Sequence, residues 1–109
     1  MTTRPDTLQG SLPLLVLTIL ARRGPLHGYG ITAQIQRLSE HLRVEEGSLY
    51  PALHRMEEAG WIKARQITTN HNRRARAYEI TREGMRQLGV EEARWRSTTD
   101  AVNHILKHA

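Results

Sequence analysis

The sequence contains no cysteine, which removes disulfides and thiolate-bound metals from consideration and permits an intracellular home. It also lacks a hydrophobic run long enough to span a bilayer. Its most apolar stretch, Leu12 to Ala21 (LPLLVLTILA), is too short to cross a membrane. Arg22-Arg23-Gly24 after it offers no small-residue cleavage pattern, and Asp6 sits where a leader would carry its basic flank. The stretch therefore reads as a buried helix of a cytoplasmic protein, with no membrane partner. No Gly/Ser linker, low-complexity tract or internal repeat is visible in the 109 residues. One domain with a core of its own, plus an appended helix, is the expected organisation. Signs of catalysis are missing too. Neither Ser11 nor Ser48 lies in a Gly-x-Ser-x-Gly setting, and no acid or base is placed to activate them. Six histidines are scattered, and His104 with His108, one helical turn apart, has no third ligand nearby. No enzyme activity, no metal and no cofactor is expected.

What the sequence does have is positive charge. Sixteen Lys and Arg against 11 Asp and Glu give a formal net charge of +5 and a pI near 10.4. That balance favours a polyanionic partner, nucleic acid or an anionic membrane surface. The preference for Arg over Lys suits bidentate contacts to phosphate or guanine.

The chain then divides into readable pieces. Residues 1 to 10 are polar, with Pro5, and are expected to form a loose arm. Ser11 can cap a first helix whose early Pro13 does no harm in a first turn. Gly24-Pro25 ends that helix. HGYGI opens a second, Tyr29 to about Leu38, with Ile31, Ile35 and Leu38 spaced to face a core. Gly28 and Gly30 let its N-terminus approach either a neighbouring helix or a phosphate. In VEEGSLYPALHRMEEAGWI, Leu49, Leu53 and Met56 mark the buried side of a third helix, which Gly60 stops. Its other side presents Gly47, Pro51, His54, Arg55 and Glu58, flanked by Ser48 and Tyr50. Pro51 fits only if the helix begins near Glu46 or Gly47. Such a face can enter a DNA groove or remain an ordinary exposed surface.

After Gly60 the period shortens. Trp61 to Ile67 partly alternates, Thr68 to Asn72 has turn composition, and Ala77 to Ile80 can pair back as a second strand. Arg73, Arg74 and Arg76 cluster at or beside the hairpin tip. Thr81 is a fair cap for a final helix reaching about His108, with Gly84 awkward in its first turn. Leu88, Trp95 and Val102 lie seven apart, and Met85 and Leu106 extend a neighbouring row. A seven-residue repeat on a terminal helix argues for a helix partner, although Glu92, Thr99 and Gly89 weaken the seam.

Three helices, a basic hairpin and a long helix make a mainly α fold with a small β-hairpin. The expected architecture is a winged helix-turn-helix over residues 1–80, with a recognition helix at about 46–59 and a wing at about 61–80. A C-terminal dimerisation helix fills 81–109. At this point the chain resembles the PadR family of bacterial transcriptional regulators. LPLLVLTIL, HGYGI, EEGSLYPALHRMEEAGWI and NRRARAYEITREG carry the resemblance, across roughly residues 8 to 88. The single short C-terminal helix is similar to the compact branch of that family. Met56, where leucine is usual, is a mild departure.

The resemblance implies a DNA-binding regulator, more often a repressor, acting as a homodimer on a pseudo-palindromic operator. Ser48, Tyr50, Pro51, His54 and Arg55 would form the contact set of the recognition helix. Ser48 and Tyr50 suit phosphate. His54 and Arg55 suit base edges, unless Arg55 instead pairs with Glu58 or another acid. Arg73, Arg74 and Arg76 would lie on the DNA backbone or in the minor groove, against the alternative of a solvated turn. Leu88, Trp95, Val102 and Leu106 would form a dimer interface or a ligand pocket. Trp95 has two readings, stacking a small aromatic effector or filling the dimer seam. The rival to the whole reading is a winged-helix protein-interaction module that has abandoned DNA. Against it stand Lys63, Arg65, Arg73, Arg74 and Arg76, five of the 16 cations, within one short segment.

Overall fold

The first helix, α1 (Asp6–Arg23), is apolar nearly all round, and the rest of the fold wraps it. Leu12, Val16, Leu17, Ile19 and Leu20 are all buried. The computed structural model describes residues 6–68 and 70–109. Within that range α1 starts earlier than its sequence suggests. Residues 6–10, expected as a loose arm, are helical, so Ser11 and Pro13 lie inside the helix rather than at its start. The remainder of the expected arm, residues 1–5, lies outside the described residues. A proline at position 13 removes one N–H partner from the Gln9 carbonyl, which bends a helix more readily than it ends one.

A two-residue strand, β1 (Leu26–His27), follows the Gly24-Pro25 break and leads directly into α2 (Gly28–Leu38). The α2 helix buries Ile31 and Ile35, whereas Leu38, expected to join them, is largely exposed at the helix end. The third helix, α3 (Glu46–Glu58), buries Leu49, Ala52, Leu53 and Met56. Its start falls at Glu46 as expected, but Pro51 lies inside the helix, past the first turn that Leu49 N–H closes on the Glu45 carbonyl, so the Gly47 carbonyl loses its helical partner. Its end is a Schellman turn: Trp61 N–H reaches the Met56 carbonyl, Gly60 N–H reaches that of Glu57, and Gly60 takes φ 84°.

The wing is longer than expected on its return side. Strands β2 (Ile62–Thr68) and β3 (Arg74–Ile80) pair antiparallel in full register, Ile62 opposite Ile80 and Thr68 opposite Arg74. Arg74 and Arg76 are therefore strand residues, and Arg73 alone of the three precedes the strand. β1 adds to the far side of β3, with Leu26 opposite Tyr78, giving the order β1-β3-β2.

The long α4 (Arg82–His108) is capped by Thr81, whose Oγ1 accepts from Gly84 N–H at 3.0 Å. The same hydroxyl lies 2.6 Å from the Gly60 carbonyl and 3.0 Å from that of Trp61. Gly84 is buried there because a β-carbon would overlap the Trp61 carbonyl oxygen. That close approach explains a glycine that helix propensity disfavours. α4 packs along α1, with Leu88 against the core and Glu91 buried. The four helices and the small sheet form a winged helix-turn-helix followed by a long helix.

Candidate nucleic-acid interface

Pro51, His54 and Arg55 are exposed on the outward side of α3, Tyr50 is partly exposed, and Ser48 is half-buried near the helix N-terminus. The periodicity that buries Leu49, Leu53 and Met56 leaves these positions facing away from the core. His54 Nε2 lies 3.5 Å from the Glu58 carboxylate one turn on. Histidine, rather than Arg55, takes that acid.

Tyr50 points towards the start of α2. A β-carbon on residue 28 would stand 2.6 Å from its hydroxyl and 2.8 Å from its ring. The approach that Gly28 permits is thus filled by a side chain of α3. Just before it, His27 caps α2 by accepting a hydrogen bond from Gly30 N–H on Nδ1, at 2.9 Å. The periodicity of α2 gave no hint of this cap, because histidine is an uncommon residue in that role.

The wing stands beside α3 with a groove of about 590 Å³ between them, lined by Tyr50, His54, Glu57, Glu58, Arg76 and Tyr78. A second hollow, about 480 Å³, runs from Gly28 and Tyr29 to Arg73 and Arg74. Side chains alternate along β3, so Arg74, Arg76 and Tyr78 share one face. Lys63 and Arg65 are exposed on the other side of β2.

Arg76 ties the wing to α3. Its Nη2 lies 3.0 Å from Glu57 Oε2 and 3.3 Å from Oε1, a link from the wing to α3. Its guanidinium carbon sits 6.0 Å from the centre of the Tyr78 ring. Hydrogen bonding to Tyr78 and the charge of Glu57 raise the Arg76 pKa above its already high ordinary value, so it stays cationic. Glu57 was absent from the expected site. Its signal in the sequence is only that of an acid on an exposed helix, which is usually solvated.

Trp95 lines a separate groove of about 580 Å³ between α1, α2 and α4, together with Leu15, Ile19, Leu38, Arg96 and Asp100. Trp95 is 46% exposed, Val102 48% and Leu106 77%. Leu88, expected in the same seam, packs instead against the core of its own chain. The His104 and His108 rings lie 4.4 Å apart. Among the described residues, no three His, Asp or Glu side chains are grouped to hold a metal. No helix there is long and apolar enough to cross a membrane.

A model of the transcriptional regulator PadR-like family matches residues 16–90, from the middle of α1 to the early part of α4. The chain belongs to the PadR family. PadR membership fits what solved structures resemble it. A transcriptional regulator from Clostridium thermocellum superposes with a TM-score of 0.83 at 28% identity, over 92% of this chain and 97% of that one. A PadR family regulator from Clostridium difficile gives 0.74 at 30% identity, over 88% and 98%. A PadR-like regulator from Bacillus cereus gives 0.79 at 26% identity, over 96% and 100%. A 44-residue stretch is also 57% identical to an uncharacterized 37.1 kDa protein in a transposon of Streptomyces fradiae. That match takes in 40% of this chain, and the chain spans only 12% of the transposon protein. As a PadR family member, the protein is a transcriptional regulator, and DNA binding is the work its winged helix-turn-helix implies.

Proposed function

We propose that this PadR family protein is a homodimeric repressor that reads a pseudo-palindromic operator, each α3 entering a major groove. The observation that carries the reading is the alignment of one exposed helix face with a basic wing. Pro51, His54 and Arg55 look outward on α3, and Arg73 and Arg74 stand across a groove from Tyr50. Ser48 and Tyr50 would contact phosphate, and His54 and Arg55 would contact base edges. Arg73 and Arg74 belong on the backbone or in the minor groove, where cations bring affinity without sequence information.

Homodimerisation is supported by the outer part of α4, where Trp95, Val102, Ile105 and Leu106 expose apolar surface that a monomer would leave in water. A two-fold dimer sets half-sites about one helical turn, roughly 10 bp, or a multiple of it apart. The groove at Trp95 supports a small aromatic effector, because an indole edge and aliphatic walls suit a flat ring.

Selection of bound sequences from a random duplex pool, with non-specific competitor present, tests the reading. An enriched inverted repeat is the expected result. Binding without enrichment would reduce the protein to a non-specific binder, and no binding would favour a protein-interaction module.

A further inference from the structure

We propose that Arg76 is a positioning residue that clamps the wing to the recognition helix through Glu57, and not itself a phosphate contact. The inference rests on the DNA-binding reading above and gives Arg76 a different role from Arg74, although the two share one face of β3.

Arg76 is opposite Gln66 in the middle of the hairpin, and Tyr78, two residues on, is buried in the core. Beyond Tyr78 the hairpin leaves the core, so its outer half needs some other hold. Glu57, 19 positions earlier in the chain, reaches from α3 to supply one. The His54–Glu58, Arg86–Glu83 and Arg94–Glu91 pairs each join successive turns of a single helix. Arg76–Glu57 joins two elements that must meet DNA together.

Charge points the same way. The Glu57 carboxylate holds one end of the guanidinium, both of its oxygens accepting from Nη2. An Arg76 that moved to DNA would leave Glu57 unpaired beside a line of phosphates, an arrangement electrostatics opposes. An Arg76 that stays on Glu57 brings no net charge to the interface and releases no counterions. It holds the wing in the position α3 requires, so less ordering remains to be done on binding.

The test is the salt dependence of binding to a mixed-sequence duplex of about 30 bp, three helical turns, for the unaltered protein and its variants. Each phosphate contact contributes a log–log slope of about −0.9. Arg74→Gln should flatten the slope by about that amount per protomer. Arg76→Gln should change the slope by less than Arg74→Gln does, through the carboxylate it leaves unpaired, while weakening binding about threefold to tenfold, the effect of having to immobilise side chains on binding. Reversing the pair, with Glu57→Arg and Arg76→Glu together, should restore the affinity of the unaltered protein, whose net charge it shares, because the clamp is rebuilt with its charges exchanged. A slope flattened by Arg76→Gln as much as by Arg74→Gln would overturn the clamp and leave the DNA-binding reading intact. So would a reversed pair that does not regain that affinity. If the unaltered protein bound no duplex, the functional reading would fall first and the clamp with it. Melting curves identify any variant that merely unfolds, and in that case Glu57→Ala, which removes both acceptor oxygens from Arg76, takes its place. It should steepen the slope by freeing Arg76, and an unchanged slope there would count against the clamp.

Discussion

Tyr50 of α3 rests on Gly28 at the first turn of α2, its hydroxyl 2.6 Å from where a β-carbon on residue 28 would lie. Two helices of a DNA-reading unit are thereby fitted to each other at the edge of the surface they present. The consequence is that residue 28 cannot gain even a methyl group unless the Tyr50 ring moves.

Gly28→Ala is therefore expected to destabilise the protein by at most about 1 kcal/mol, below the range for overpacking a closed core, because the half-exposed Tyr50 ring can swing aside. In a Tyr50→Ala background the same change should cost little, since the obstacle is gone. Thermal unfolding of the four proteins of this cycle measures the coupling. Additive effects would show that the two residues do not constrain each other.

Gly84 and Gly89, five positions apart on α4, should respond with opposite signs. Gly84→Ala drives a methyl into the Trp61 carbonyl oxygen, part of the backbone and unable to swing away. A loss of about 1–3 kcal/mol is expected. Gly89 has open space around it, so Gly89→Ala should stabilise by about 0.5–1 kcal/mol through helix propensity. Denaturant midpoints decide both. A destabilising Gly89→Ala would mean that a second copy covers that face.

Arg55 is the strongest candidate for reading a base. Arg55→Ala should cost about 1–3 kcal/mol in operator affinity and relax preference at one base position. Competition with single-base operator variants reads this out. A uniform loss across all variants would move Arg55 to the phosphates.

Trp95→Ala is expected to loosen the proposed homodimer or, with the dimer intact, to abolish fluorescence quenching by a planar aromatic ligand. Sedimentation and titration separate the two outcomes. A variant unchanged in both would remove Trp95 from either role.

The sequence made α3 legible because three signals agree there: Leu49, Leu53 and Met56 at helical spacing, Pro51 fixing the start and Gly60 fixing the stop. Thr81 announced α4 in the same way. β1 was not legible, since two residues hold no period and its existence depends on Tyr78 and Ala77, some fifty residues later. The early start of α1 was hidden behind Pro13, which marks a first turn in most helices but sits in the interior here. The outward face of α3 and the basic wing could be read from residue types alone. That Arg76 is engaged by Glu57 could not, because the pairing is set by how the hairpin leans on the helix, which no spacing along the chain encodes.

The Thr81 hydroxyl has one further implication. It meets the Gly60 and Trp61 carbonyls at the exit of α3 while also holding the Gly84 amide at the root of α4. Those bonds make the junction a fulcrum. α4 is a lever about 40 Å long by its residue count, and its root cannot swivel alone without breaking bonds to the segment that carries α3 into the wing. Whatever tilts the outer end of α4 therefore pulls on the element that would touch DNA.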